Sequence, residues 1–229
     1  LQQAAQRISI SVYMKGWGFY LKMRCRIRTL FSFALKLNSR FCCRQGNMQT
    51  TIKRIRYNRA MNIIETDRLL LRKLSTDDAA FILDLLNQPS FIQYIGDRGV
   101  RTLEDAKRYI ETGAVASYER NGFGLYLTML KGSEIPIGMC GLVKRDSLKD
   151  VDVGFAFLPQ YWLKGYAFEA ASAVLTYARN ELGLKRILGI ATPDNQGSIR
   201  VLEKIGLKFE KMVRLSADDV ELKLFALDM

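Results

Sequence analysis

The spacing of apolar and polar positions becomes legible from Ile63 onward, where short runs with alternating or branched apolar residues give way to runs with helical steps. Residues 63–73 are rich in Ile and Leu and predict a first strand. Ser75 or Thr76 then caps a helix over 77–87, in which Ala80, Leu83 and Leu86 share one face, and Pro89 ends it. A second helix follows Thr102. Its start, Thr102-Leu103-Glu104-Asp105, resembles a capping box one residue short, with an acid-rich first turn, and it extends through Ile110 towards Tyr118. Three β-rich runs come next, at 123–130, 135–143 and 150–158. Lys131-Gly132-Ser133 and Arg145-Asp146-Ser147 separate them, so short turns predict an antiparallel meander. A helix opens at Gly165, with Phe168, Ala171, Leu175, Ala178 and Leu182 recurring at steps of three and four. A strand at 186–191, a helix at 196–205 stopped by Gly206, and β-rich segments near 207–215 and 220–227 complete the series. No internal repeat or low-complexity tract interrupts 61–229.

Residues 1–60 lack such order. The most apolar piece, Leu30-Phe31-Ser32-Phe33-Ala34-Leu35, is far shorter than the ~20 residues of a membrane-spanning helix, so no membrane anchor is expected. These residues hold 13 of the 35 Lys and Arg and none of the 23 Asp and Glu. The net charge of +12 therefore belongs to this stretch, and 61–229 is within one charge of neutral, which removes the electrostatic case for nucleic-acid binding by that domain. The stretch reads as a basic targeting leader, as a poor secretory signal, or as sequence upstream of a start at Met61. The last is preferred, with 1–60 expected to be disordered or not part of the native protein and 61–229 to be one domain.

Cysteine and histidine usage narrows the chemistry. Three of the four cysteines, Cys25, Cys42 and Cys43, lie before residue 60, leaving Cys140 alone in the domain. No disulfide framework is available there, which suits a reducing, cytoplasmic setting. The chain has no histidine, so Ser-His-Asp and Cys-His catalysis and His-bearing metal sites are excluded, and no metal is expected.

The most informative stretch runs from Asp150 to Ala178. A β-rich run ends at Pro159, and six residues later Gly165 opens a helix with no Ser, Thr, Asp or Asn between Gln160 and Tyr166 to cap it. Gly165 permits close backbone approach, Lys164 adds positive charge, and the helix dipole favours an anion. Either water caps an ordinary helix, or a pyrophosphate does.

Trp162-Leu163-Lys164-Gly165-Tyr166-Ala167 resembles the acetyl-CoA pyrophosphate loop of the GNAT superfamily of N-acetyltransferases: Gln or Arg, two residues, Gly, one residue, Gly or Ala. Trp162 departs from the pattern at its first place. The fuller string Asp-x-Gly-Phe-x-Phe-Leu-Pro-x-Tyr-Trp-x-x-Gly-Tyr-Ala-x-Glu-Ala is similar to the branch containing the ribosomal-protein N-terminal acetyltransferases. Thr66-Asp67-Arg68-Leu69 and Ile137-Gly138-Met139-Cys140-Gly141-Leu142 are also similar to segments of that family.

The resemblance implies an α+β, three-layer fold. It has a mixed, mostly antiparallel sheet of about seven strands flanked by about four helices and splayed between strands four and five. It implies acetyl-CoA as co-substrate, with its pantetheine arm in the splay against Phe155, Ala156, Phe157 and Leu158, and its pyrophosphate on Leu163, Lys164, Gly165, Tyr166 and Ala167. Asp152 stands where many relatives carry a carboxylate and is the candidate base, with Asp150 behind it; an aspartate there also reads as a solvated turn residue. The tyrosine that many members use as proton donor is replaced by Leu202. Ser198 matches the serine of the ribosomal-protein branch and is the candidate donor to the thiolate, with Asn195 on the cofactor arm. Locally, Asn195 also reads as an N-cap for the Ser198 N–H.

The expected activity is acetyl transfer to a primary amine by direct attack. The acceptor is a protein N-terminus, or else a small amine, and Tyr94, Phe123, Tyr126 and the acidic Asp218-Asp219-Glu221 cluster are candidates to line its pocket. A CoA-binding module without turnover, and a nucleic-acid binder acting through 1–60, are the rivals. A monomer or homodimer is expected.

Overall fold

The computed structural model describes residues 62–216 and 220–229 and, earlier in the chain, two short strands. The chain divides into two units, Leu1–Ile55 and Arg56–Met229. In the first, β1 (Ile8–Ser11) and β2 (Lys22–Cys25) pair antiparallel, Ile8 opposite Cys25 and Ser11 opposite Lys22. What is expected of residues 1–60 otherwise lies outside the described residues, as do Asp218 and Asp219.

The second unit is built on an eight-stranded sheet. Its strands are β3 (Asn62–Glu65), β4 (Leu69–Lys73), β5 (Leu125–Leu130), β6 (Pro136–Val143), β7 (Val151–Phe157), β8 (Arg186–Ala191), β9 (Lys208–Val213) and β10 (Leu222–Asp228). They lie in the order β3-β4-β5-β6-β7-β8-β10-β9, and every neighbouring pair is antiparallel except β7 and β8. That one parallel step follows from the connection, which returns the chain through a helix rather than a hairpin.

The extra strand relative to expectation comes from residues 63–73, which fold as a hairpin instead of one strand. Thr66 closes it: its N–H donates to the Leu69 carbonyl at 2.9 Å, and its Oγ1 accepts from the Leu69 N–H at 2.9 Å. A side chain that satisfies a turn in this way competes with continued pairing. Pro89 likewise does more than stop α1 (Ala79–Leu86). It occupies the first turn of α2 (Pro89–Ile95), where its missing N–H costs nothing.

The next helical rod is α3 (Leu103–Tyr109), a π-helical turn (Ile110–Val115) and α4 (Ala116–Asn121). Its capping box is complete, because Asp105 serves in place of the usual Glu: Thr102 Oγ1 accepts from the Asp105 N–H at 3.1 Å and Asp105 accepts from the Thr102 N–H at 3.0 Å. The rod runs past Tyr118 to Asn121. There Gly122 forms a left-handed cap with φ of 79°, and its N–H donates to the Tyr118 carbonyl at 3.1 Å. The remaining helices are α5 (Tyr166–Asn180) and α6 (Gln196–Lys204).

Six consecutive residues of β6, Ile137 to Leu142, are buried, so the middle of the sheet is covered on both faces. Helix α5 packs across β3, β4, β6 and β7, with Ala170, Ala171, Val174, Leu175 and Ala178 buried; α6 packs on β8 and β9. Two glycines make the middle possible. A Cβ on Gly141 would lie 2.1 Å from the Gly124 carbonyl oxygen, and one on Gly138 would lie 2.4 Å from that of Ala156.

Candidate active site

The site begins where β7 and β8 part. Their parallel pairing covers only Val151 with Ile187 and Asp152 with Leu188, whereas β8 stays paired to β10 over all of Arg186–Ala191. β7 continues to Phe157 against β6 without a register shift, so Gly154 sits in regular strand and not at a bulge. The Leu158 N–H bonds the Ile137 carbonyl at 3.0 Å. Antiparallel pairs alternate, so Ala156, Gly154 and Asp152 also bond towards β6, and the N–H and C=O groups of Val153, Phe155 and Phe157 face the opening. The Phe157 carbonyl is taken by the Trp162 indole N–H at 2.8 Å. Phe155 keeps an open edge that an extended ligand can pair with.

Beyond the opening, Pro159–Tyr161 forms a single 3-10 turn and the chain reaches α5 through two left-handed residues, Leu163 with φ of 60° and Gly165 with φ of 81°. The Leu163 side chain is fully exposed. Gly165 stands at the N-cap of α5 with no side-chain cap, so the first N–H groups, of Tyr166, Ala167 and Phe168, have no acceptor among the described side chains. Arg68 braces this loop from the β3–β4 turn. Its Nη1 donates to the Lys164 carbonyl at 3.0 Å, its Nε donates to Glu169 at 2.6 Å, and its guanidinium lies 4.8 Å from the centre of the Tyr166 ring. Glu169 also accepts from Thr66 Oγ1 at 2.6 Å and from the Arg68 N–H at 3.0 Å. Its partial burial raises the carboxyl pKa, but these hydrogen bonds outweigh that and lower it overall.

A cavity of about 830 Å³ is lined by Phe155 and Ala156, and Asp152, Asn195 and Ser198 line it as well. Asp152 is 1% exposed and lies within β7, so it is no solvated turn residue. Its Oδ1 accepts from Arg145 Nε at 3.0 Å. Burial raises the Asp152 pKa, and the charge and hydrogen bond of Arg145 oppose the rise. Asp150 is elsewhere, 3.6 Å from Arg186 in a surface group with Glu210 and Asp228. Asn195 caps α6, its Oδ1 accepting from the Ser198 N–H at 3.0 Å, which leaves the Ser198 hydroxyl free of that bond.

Other expected residues are distributed differently. Phe157 and Leu158 are buried in the core, and the loop residues Leu163 to Ala167 do not line the cavity. Phe123 and Tyr126 are core residues, Tyr126 stacking on Tyr118 at 5.7 Å, whereas Tyr94 does line the cavity. Glu221 is exposed beside lining residues Val220 and Leu222. Leu202 packs under β8, where a Cβ on Gly189 would lie 2.6 Å from its Cδ2. Three residues that sequence reasoning does not single out, Tyr109, Arg145 and Thr192, also line the cavity. Thr192 Oγ1 is buried without a hydrogen-bond partner just past the end of β8, and Arg145 reads in the sequence only as part of a turn. Among the described residues no three His, Cys, Asp or Glu side chains gather as a metal ion requires, and no helix is long and apolar enough to cross a membrane.

Residues 68–208 match the family model described as the acetyltransferase (GNAT) domain. The chain is 30% identical over 154 residues to YoaA, an uncharacterized N-acetyltransferase of Bacillus subtilis (strain 168), covering 66% of this chain and 86% of that one. A GNAT-family acetyltransferase from Bacillus anthracis has a similar structure, with a TM-score of 0.61 at 29% identity over 72% of this chain and 97% of that one. RimL, a ribosomal L7/L12 alpha-N-protein acetyltransferase in complex with coenzyme A, shares the fold with a TM-score of 0.63 at 16% identity, over 72% of this chain and 96% of that one.

Proposed function

Because the chain belongs to the GNAT acetyltransferase family, we propose that it acetylates the N-terminal amine of a polypeptide by direct attack on acetyl-CoA. It is an acetyl-CoA-dependent acyltransferase, and the co-substrate supplies an activated acetyl thioester. The observation that carries the reading is the opening between β7 and β8, which lies between the uncapped start of α5 and a cavity lined by a carboxylate and a hydroxyl.

Each part of the chain has a role in this reading. The N–H groups of Tyr166 and Ala167, with Gly165 leaving room and Lys164 adding charge, hold the pyrophosphate. The open edge at Phe155, with Ala156 beside it, pairs with the amide-bearing arm as a strand would, and Phe157 and Leu158 fix that edge through their backbone and core packing. Asn195 meets the arm while capping α6. Asp152 takes the proton from the incoming amine, directly or through water, and Ser198 donates to the departing thiolate. The cytoplasm is the compartment proposed, in keeping with the free, buried Cys140.

The test is to incubate the purified chain with acetyl-CoA and a panel of peptides and small amines and to follow free thiol. Thiol release with peptides and acetylation at their first amine is the expected result. Release with small amines alone overturns the polypeptide acceptor. CoA binding without release from any acceptor would point to the silent module, a reading that draws on Leu202 occupying the tyrosine's place as a core residue.

A further inference from the structure

The charge of the cavity lining is one-sided. Among the described residues, Arg98, Arg120, Lys144 and Arg145 line it against a single acid, Asp152. That acid is already paired with Arg145. The rest of the domain does not explain the bias, since 61–229 is within one charge of neutral. Basic side chains have therefore been gathered at one concavity, where low-dielectric walls strengthen their field.

The groups come from three separate parts of the fold. Arg98 follows α2, Arg120 lies in α4, and Lys144 and Arg145 follow β6. Arg98 donates to the Ile95 carbonyl at 3.3 Å, and Lys144 to the carbonyls of Leu148 and Lys149 at 3.2 and 2.6 Å. Neither Arg98 nor Arg120 has an acidic partner among the described residues. Tyr109 lines the same cavity. Burial raises the pKa of its phenol, and the charges of Arg98 and Arg145 act against the rise. A phenol and guanidinium groups that line one cavity present hydrogen-bond donors to an anion there.

We infer that the acceptor is a peptide whose first residues after the reactive amine carry a carboxylate, which Arg98, Arg120 and Tyr109 receive while Asp152 faces the amine. The inference rests on the polypeptide-acceptor reading above. Arg145 belongs to both sides of the arrangement. Asp152 engages its Nε at 3.0 Å and its Nη2 at 3.4 Å, and Nη1 remains for the acceptor. An acceptor with an amine near an acid is the charge complement of this Asp–Arg pair.

Three Ala-initiated peptides, identical except for Glu, Gln or Lys at the second and third residues, decide the matter. Their binding to the CoA-loaded chain is measured by calorimetry, and their acetylation by thiol release. The expected result is that the Glu peptide binds about tenfold tighter than the Gln peptide, with the Lys peptide weakest, and that the difference shrinks as salt is raised. Arg98→Gln and Arg120→Gln, whose folding is checked by Tm, should bring the Glu-to-Gln ratio towards one. Equal binding of all three peptides, tighter binding of the Lys peptide, or a ratio untouched in both variants would each overturn the inference. Absence of acetylation from all three, by contrast, sinks the polypeptide-acceptor reading, and calorimetry still reports the charge preference by itself.

Discussion

Arg68 and Glu169 are 101 residues apart in sequence, yet Arg68 Nε donates to Glu169 Oε2 at 2.6 Å. The pair ties the β3–β4 hairpin to the first turn of α5 and, through the Lys164 carbonyl, to the loop before it. Arg68→Gln should therefore loosen the loop more than the fold. We expect KM for acetyl-CoA to rise about tenfold with kcat nearly kept, because a uniformly weakened binding contact alters KM alone. Steady-state kinetics with acetyl-CoA varied would check this, and an unchanged KM would count against the loop's role.

Glu169 also gives the fold a pH dependence with a definite sign. Its pKa is lowered from 4.5 on folding, so the stability it contributes is present above 4.5 and is lost as pH falls through the lower folded value. Glu169→Gln should flatten the fall in Tm over that acid window relative to the parent chain. Parallel Tm profiles would contradict the assignment.

Gly165 has φ of 81°, and a Cβ there would lie 3.3 Å from Arg68 Nη2. Gly165→Val should cost roughly 1–2 kcal/mol in left-handed backbone strain and should also fill the space proposed for the pyrophosphate. Calorimetry is expected to show CoA binding abolished while thermal unfolding stays cooperative. Normal binding would remove the loop from the site.

Ser198→Ala is expected to lower kcat by about a hundredfold, the low end for a positioned acid, with KM for acetyl-CoA unmoved. The variant keeps the backbone N–H that donates to Asn195, so α6 should stay capped. Asn195→Ala should differ, losing about 1 kcal/mol of stability as well as affinity. Unchanged kcat in Ser198→Ala would reject the proton-donor role.

Asp152 titrates above the ordinary 3.8 because it is buried, with Arg145 restraining the rise. With Asp152 as the base, the acid limb of the kcat profile follows its pKa. Arg145→Gln removes the restraint, so that limb should move to higher pH; Asp152→Asn should cost about a hundredfold in kcat. A limb that stays in place in Arg145→Gln would separate Asp152 from the proton transfer.

Much of the fold is readable in the chain because its elements carry strong local signals. The period of α5, the stop at Gly206 and the strand at Arg186–Ala191 need no long-range information. The hairpin at Thr66 escapes such a reading because the Ile and Leu residues of 63–73 look like one strand, while the turn depends on a single hydroxyl finding Leu69. The loop at Gly165 is readable for the opposite reason: an expected cap is missing there. Arg98, Tyr109 and Arg145 are not, since nothing in their own neighbourhoods says that the end of α2, α3 and the end of β6 converge on one cavity. Tyr126 errs the other way. A tyrosine on a strand looks available to an acceptor, but stacking on Tyr118 commits it to the core.

The parting of β7 and β8 leaves the sheet short of a rung at its centre, and a bound thioester would complete it. Whatever binds the folded state alone stabilises it, by about 2.7 kcal/mol when its concentration is a hundred times Kd. Acetyl-CoA in large excess over its Kd is therefore expected to raise the Tm of this chain, and the gain should be lost as the co-substrate is withdrawn.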